Sequence, residues 1–130
     1  MRNDNRPTNV GLSNLFVFRF PITAIVSIIH RITGILLFAG IAFALYVLQV
    51  SLSSEQGFNE IKSALSSPLC LVITIALIAV LLFHFVAGIK HLLMDLGIGE
   101  TLEGGVFASR VVLLSVAILV FLAGIWLVQV

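Results

Sequence analysis

Three long apolar segments limit what this chain of 130 residues can fold into. They cover about residues 22–52, 68–91 and 106–130, and few polar side chains interrupt them. Each is longer than the roughly 20 residues that an α-helix needs to cross the hydrocarbon core of a bilayer. The sequence therefore predicts an all-α integral membrane protein with three transmembrane helices.

The composition supports this class and excludes several others. Hydrophobic residues make up 60% of the chain and charged residues only 10%, whereas soluble domains carry about one-quarter charged residues. The single cysteine, Cys70, rules out an internal disulfide framework and a thiolate metal cluster. We expect one membrane domain, residues 1–130, with a polar N-terminal segment over about residues 1–20 and no separate catalytic domain. No feature indicates nucleic-acid binding.

The basic residues predict the orientation of the helices. Six flank the side that holds the N-terminus and the second loop, against Lys62 alone in the first loop: Arg2, Arg6, Arg19, Arg31, Lys90 and Arg110. The positive-inside rule places that side in the cytoplasm. The N-terminus shows neither an apolar signal core nor the Arg-rich, acid-free pattern of a mitochondrial transit peptide. We therefore expect a multi-pass protein of a bacterial inner membrane, with polar loops joining the spans.

Three ionisable side chains fall within the spans and call for an explanation. His30 and Arg31 lie on the first span and His84 on the second, and an arginine at the centre of a span costs about 2.5–3.5 kcal/mol. At 1.5 Å per residue, Arg31 lies about 15 Å into the first helix and His84 about 9 Å from the end of the second. Ser27, His30 and Arg31 are spaced i, i+3, i+4 and so share a helix face. We predict that this polar face meets His84 in the cytoplasmic half of the membrane.

The second span places His84, Gly88 and His91 on one stripe. Two histidines seven residues apart are separated by about 10.5 Å along the helix, too far to bind one haem iron from opposite sides. If His84 is a haem ligand, the opposite ligand comes from His30 or from a partner subunit. The alternative is that the histidines only form hydrogen bonds between helices, which we favour for His91. For Arg31, the alternative is that its side chain reaches the membrane interface and only sets the orientation of the helix.

Two motifs resemble a known family. Phe-Pro-Ile-Thr at residues 20–23 leads into Ser-Ile-Ile-His-Arg-Ile-Thr at 27–33, and the second span ends in His84-x-x-x-Gly88-Ile89-Lys90-His91-x-x-Met94-Asp95-x-Gly97. Together with Arg6-Pro7 and the order of the spans, these motifs resemble the cytochrome b556 membrane-anchor subunits of bacterial succinate dehydrogenase, which is respiratory complex II. The resemblance covers the whole chain.

The resemblance implies a place in a larger complex. Such an anchor subunit forms half of a heterodimeric helix bundle with a second anchor subunit, beneath an iron–sulfur subunit and a flavoprotein subunit. The two anchors share a haem b, and each supplies one histidine ligand to its iron. His84 matches the ligand of this subunit, whereas His30 and Arg31 match residues near the haem propionates. Lys90 departs from the family, which usually has arginine there, so a point charge replaces a bidentate fork.

The resemblance also implies a ubiquinone site. Ser27 and Arg31 match residues of the quinone pocket, with Ile28 and Phe20 as its apolar wall. Arg31 would polarise a quinone carbonyl, and Ser27 would form a hydrogen bond with a ring oxygen. The chain itself would carry no succinate-oxidising site, because it has no flavin fingerprint and no cysteine cluster. A haem-free structural anchor and a fumarate-reductase-type anchor remain as alternatives.

Overall fold

The computed structural model describes residues 19–129, which form four α-helices. They are α1 (Ile22–Ser53), α2 (Glu55–Leu65), α3 (Pro68–Asp95) and α4 (Leu102–Gln129). Helices α1, α3 and α4 are each long and apolar enough to cross a membrane. The prediction of an all-α, multi-pass membrane protein with three spans is therefore confirmed. The expectation of a polar N-terminal segment falls mostly on residues 1–18, which lie outside the described residues.

Helix α2 corrects the prediction of a polar loop between the first two spans. Its start is capped by Ser54, whose hydroxyl accepts a hydrogen bond from the Gly57 amide at 3.0 Å. Phe58, Ile61 and Leu65 recur at helical spacing and form an apolar stripe along this short, otherwise polar helix. The segment folds because the cap satisfies an orphan amide and the stripe packs against the ends of the spans.

The connection between α3 and α4 is also shorter than predicted, because only residues 96–101 lie outside the two helices. Gly97 takes a positive φ of 83°. Its amide and that of Ile98 donate to the carbonyls of Met94 and Leu93, both at 2.9 Å, which is a Schellman ending. Thr101 then caps α4, since its hydroxyl accepts from the Gly104 amide at 3.0 Å. These two local devices reverse the chain within six residues.

Helix α3 lies between α1 and α4 and contacts both along its length. The buried apolar core is small and consists of Val26 from α1, Phe83 and Ala87 from α3, and Val112 from α4. Most of the large apolar side chains point outward, as Phe38 does with 85% of its surface exposed. In a membrane these side chains face lipid or neighbouring subunits, so the stability of the bundle comes from close packing rather than from a water-excluded core.

Candidate functional site

Three histidines from α1 and α3 form one cluster. The rings of His30 and His84 are stacked, with centroids 4.2 Å apart and an interplanar angle of 13°. On its other side His30 lies 5.0 Å from the His91 ring at 41°. The antiparallel spans thus bring His30 between the two histidines of α3. His30 meets His84 as predicted, but the prediction for the whole polar face is wrong, because Arg31 on the same face is exposed.

The hydrogen bonds of His84 define which of its ring nitrogens is protonated. Its Nδ1 lies 3.1 Å from the His30 carbonyl oxygen and 3.2 Å from Oγ1 of Thr33. The Thr33 hydroxyl donates its own hydrogen to the His30 carbonyl at 2.9 Å. Because a carbonyl can only accept, His84 Nδ1 carries a hydrogen and donates it to both oxygens. Its Nε2 is therefore the nitrogen with a free lone pair, as a metal-binding imidazole requires.

Two glycines give the histidines room. A Cβ on Gly34 of α1 would lie 3.1 Å from Cε1 of His84, and a Cβ on Gly88 of α3 would lie 3.5 Å from Nε2 of His30. Each ring therefore lies directly over the backbone of the opposite helix. This close approach is tighter at Gly34, where any larger residue pushes on the His84 ring.

The far end of the cluster contains an unsatisfied ring nitrogen. Nε2 of His91 is buried and has no hydrogen-bond partner among the described residues. Lys90, the preceding residue on α3, is 6% exposed. A buried ring nitrogen without a partner is unfavourable in an apolar bundle, and a lysine within a membrane helix is costly unless its charge is paired. Both residues would gain from a polar or anionic ligand beside the cluster.

The residues predicted to bind quinone lie at the edge of the same region. Ser27 is half-buried, and Arg31 is exposed. Phe20 and Ile28 are also open, with 43% and 44% of their surfaces exposed. Ile28 and Arg31 therefore lie on the outward side of α1, Ser27 at its edge and Phe20 just before the helix begins, whereas His30 turns inward against α3. The structure does not enclose them in a pocket within this chain.

The donor set indicates the kind of group that the cluster can hold. Among residues 19–129, no three histidine, cysteine or acidic side chains are arranged to bind a bare metal ion. His84 offers a single imidazole nitrogen, and the buried Lys90 lies near it in the sequence. This combination suits a metal complex that already has four ligands and carries anionic groups at its edge. Haem is such a group, since its iron needs only axial ligands from the protein, and the residues of the cluster fit it.

Comparison with known proteins shows the family. Residues 2–124 match the family model of the succinate dehydrogenase/fumarate reductase transmembrane subunit. The chain belongs to this family. The matched residues include the three histidines, Gly34 and Gly88, the first two spans and most of the third.

Two bacterial relatives are similar to this chain over nearly their full length, and a mitochondrial relative over a shorter part of its own. The succinate dehydrogenase cytochrome b556 subunit of Coxiella burnetii is 37% identical over 127 residues, which are 96% of this chain and 98% of that protein. The corresponding subunit of Paracoccus denitrificans is 33% identical over 90% of this chain and 92% of its own length. The mitochondrial cytochrome b560 subunit of Bos taurus is 36% identical over 76% of this chain and 58% of its own length.

Thr33 is the member of the site that the sequence reasoning missed. It is 5% exposed and joins His84 to the His30 carbonyl. Its spacing from His30, three residues along the same helix, matches a hydroxyl that bonds back to its own backbone. That spacing was visible in the sequence, but its contact with His84 depends on how the two helices pack.

Proposed function

We propose that this chain is the membrane-anchoring cytochrome b subunit of a bacterial succinate:ubiquinone oxidoreductase. In this role it helps bind haem b and ubiquinone in the inner membrane. Electrons from the soluble iron–sulfur and flavoprotein subunits pass through it to quinone, which links the tricarboxylic acid cycle to the respiratory chain. Oxidation of succinate takes place in the soluble subunits. The observation that carries the proposal is the contact of His84 Nδ1 with the His30 carbonyl and with Thr33, which leaves Nε2 to bind a metal.

His84 is the axial ligand of this chain in the proposal. Its Nδ1 lies 3.1 Å from the His30 carbonyl oxygen and 3.2 Å from Oγ1 of Thr33. These two hydrogen bonds fix the orientation of the ring and raise the basicity of Nε2. The stacking of His30 on the face of the His84 ring leaves Nε2 at the ring edge, where it would be free to hold a haem. When bound, haem supplies one-electron redox chemistry. Lys90 and His91 then provide a cation and a donor for its carboxylates.

The second ligand comes from a partner anchor subunit in this proposal. His30 was one of the two sources left open by the spacing, and its ring is nearly parallel to that of His84 at 4.2 Å. A haem held by both histidines would have to lie between their rings, and rings in direct contact leave no room for it. His30 is better suited to the vicinity of the propionates, together with Arg31.

The quinone site is proposed on the outward side of α1. Ser27 is half-buried and Arg31 is exposed beside it, so a neighbouring subunit would close the pocket. Arg31 stabilises negative charge on the quinone carbonyl as it is reduced, and Ser27 forms a hydrogen bond with the ring oxygen. The exposed apolar surfaces of Ile28 and Phe20 contact the ring and the beginning of its tail.

The haem assignment is tested by His84→Leu in the whole purified complex. We expect the low-spin haem spectrum to be lost or strongly altered, while the soluble subunits still reduce an artificial dye. An unchanged spectrum in an assembled complex would show that His84 is not the ligand. Absence of haem from the unaltered complex would instead favour a haem-free structural anchor.

The quinone assignment is tested by Ser27→Ala and Arg31→Leu. We expect quinone reduction to fall by about tenfold or more for Arg31→Leu, because it removes stabilisation of developing charge, with dye reduction retained. Ser115→Ala, a serine on α4 away from this face, is the matched control. The proposal fails if both variants reduce quinone at the unaltered rate.

A fumarate-reductase-type anchor is the second candidate function. The description of the matching family includes fumarate reductase transmembrane subunits, and both types share the three-span architecture. Measurement of succinate oxidation and fumarate reduction by the purified complex distinguishes the two. The leading proposal is supported if the complex oxidises succinate, with ubiquinone as acceptor, faster than it reduces fumarate.

A further inference from the structure

We propose that the end of the bundle opposite the histidines binds an anionic phospholipid of the outer leaflet. A crevice of about 640 Å³ opens there between α2 and the ends of the three spans. Ser51 of this crevice lies 21 residues beyond His30 on α1, or about 31 Å along the helix. The crevice is therefore separate from the proposed haem and quinone sites.

The walls of the crevice are mainly apolar and come from four helices. Helix α2 contributes Phe58, Ile61 and Leu65, and the spans contribute Leu71 at the start of α3 and Trp126 at the end of α4. Its volume lies within the 300–1,000 Å³ usual for ligand pockets. Walls of this kind suit the beginning of an acyl chain, because they continue the apolar environment of the lipid core.

Helix α2 lies between this apolar space and water. Its opposite face is polar and acidic, with Glu55, Gln56, Asn59 and Glu60 along a separate shallow surface. A short helix with one apolar and one charged face lies in the plane of the membrane interface. The mouth of the crevice is therefore at the depth of the phospholipid headgroups.

Lys62 defines the charge of the ligand. It lines the crevice beside Phe58 and Ile61, and it is the only lysine or arginine between Arg31 and Lys90. Its ammonium group at headgroup depth attracts a phosphate. An apolar helix of a partner subunit would cover this cation without a compensating charge, which a phosphate supplies.

The hydroxyl groups of the crevice favour a headgroup that donates hydrogen bonds. Ser66 and Thr74 line it, and each already donates its own hydrogen to a backbone carbonyl, at 2.9 and 2.8 Å. Their oxygens remain as acceptors, which suits the glycerol hydroxyls of phosphatidylglycerol. Trp126 adds an indole ring of the kind that is enriched at the membrane interface.

The test measures phosphatidylglycerol retained by the whole complex, purified in detergent and analysed by native mass spectrometry. We expect Lys62→Gln to reduce retention by about fivefold, the effect of one cation near the membrane surface. Lys62→Arg should retain the lipid, and so should the control Glu60→Gln on the outer face of α2. Leu71→Trp should displace the lipid by filling the crevice while the charge remains.

Retention of phosphatidylglycerol by both Lys62→Gln and Leu71→Trp would overturn the proposal. Loss of the second anchor subunit from Lys62→Gln, with no change in lipid, would also overturn it, because a protein would then occupy the crevice. The haem spectrum and quinone reduction should be unaffected in all four variants. Failure of the lipid proposal is thus distinguishable from failure of the proposed function.

Discussion

The two ends of the helix bundle use the same spans in different ways. At the histidine end, α1 and α3 are joined by a hydrogen bond from His84 to the His30 carbonyl, by ring stacking and by contacts over two glycines. At the α2 end, the side-chain hydrogen bonds of residues 51–74 connect groups three or four residues apart. One end is a rigid site that positions a ring, and the other is a crevice that an amphipathic helix covers.

The comparison shows what a few residues change in an apolar bundle. Glycine and a polar side chain on the facing helix allow a direct contact between backbone and ring, which leaves no space between the two helices at that level. Where large apolar residues and a short interfacial helix replace them, the helices leave a space between them. In the proposed roles, the first end depends on precise geometry, whereas the second end tolerates exchange of its lipid.

The largest expected effect comes from Gly34→Val at the histidine end. A Cβ at this position would already lie 3.1 Å from Cε1 of His84, and the two further methyl groups of valine force the ring or α1 to move. We expect most of the haem to be lost and the spans to be destabilised by about 1–3 kcal/mol. Haem content per complex and thermal stability measure the two effects.

Gly124→Val is the matched control, because a Cβ on Gly124 meets no atom of the described residues within 4 Å. It should leave the haem content unchanged. Equal haem loss in the two variants would show that the close approach at Gly34 has no special role, and the contrast between the two ends would be lost.

An intermediate effect is expected from Gly57→Ala at the other end. The added Cβ would lie 2.5 Å from the Val50 carbonyl oxygen, which is backbone of α1, so α2 must shift. We expect α2 to be destabilised by about 1.4 kcal/mol or more, which corresponds to amide hydrogen exchange about tenfold faster in residues 55–65. Haem content should not change, since the site is at the opposite end.

Ser63→Ala, on the polar face of the same helix, is the control for this exchange measurement. A Gly57→Ala complex with unchanged exchange in α2 would mean that the α1–α2 corner adapts freely. A loss of haem would mean that the two ends are coupled and would contradict their independence.

The smallest expected effect comes from Thr33→Val. Valine has nearly the same shape but removes the hydroxyl that accepts from His84 Nδ1, while the His30 carbonyl remains as an acceptor. The imidazole then donates less electron density to iron, so the midpoint potential of the haem should rise. The expected rise is a few tens of millivolts, equivalent to about 1 kcal/mol or one hydrogen bond.

Thr33→Ser keeps the hydroxyl and should keep the potential of the unaltered complex, as measured by a redox titration of the haem absorption. A potential that falls in Thr33→Val, or that changes equally in both variants, would contradict the hydrogen-bond assignment at His84.

Sequence reasoning was successful for the spans and for the meeting of His30 with His84. Both follow from counting residues, because each residue adds the same 1.5 Å to the length of a helix. The count gives the length of each apolar segment and the level of each residue in an antiparallel pair of helices. Helix α2 was missed because it is short, contains Gly57 and has a mixed polar composition that also suits a loop. Its helical state depends on the Ser54 cap and on packing of its apolar stripe.

The sequence by itself determined the class of the protein, the number of its spans and the level at which His30 meets His84 along two antiparallel helices. Composition suffices for these, because transfer of each segment into lipid depends on its own residues. Only the tertiary structure decided that His84 Nδ1 is the donor, that Thr33 joins the site and that a crevice forms under α2. These features depend on the rotation and offset of helices that pack through residues about 50 positions apart, such as Thr33 and His84.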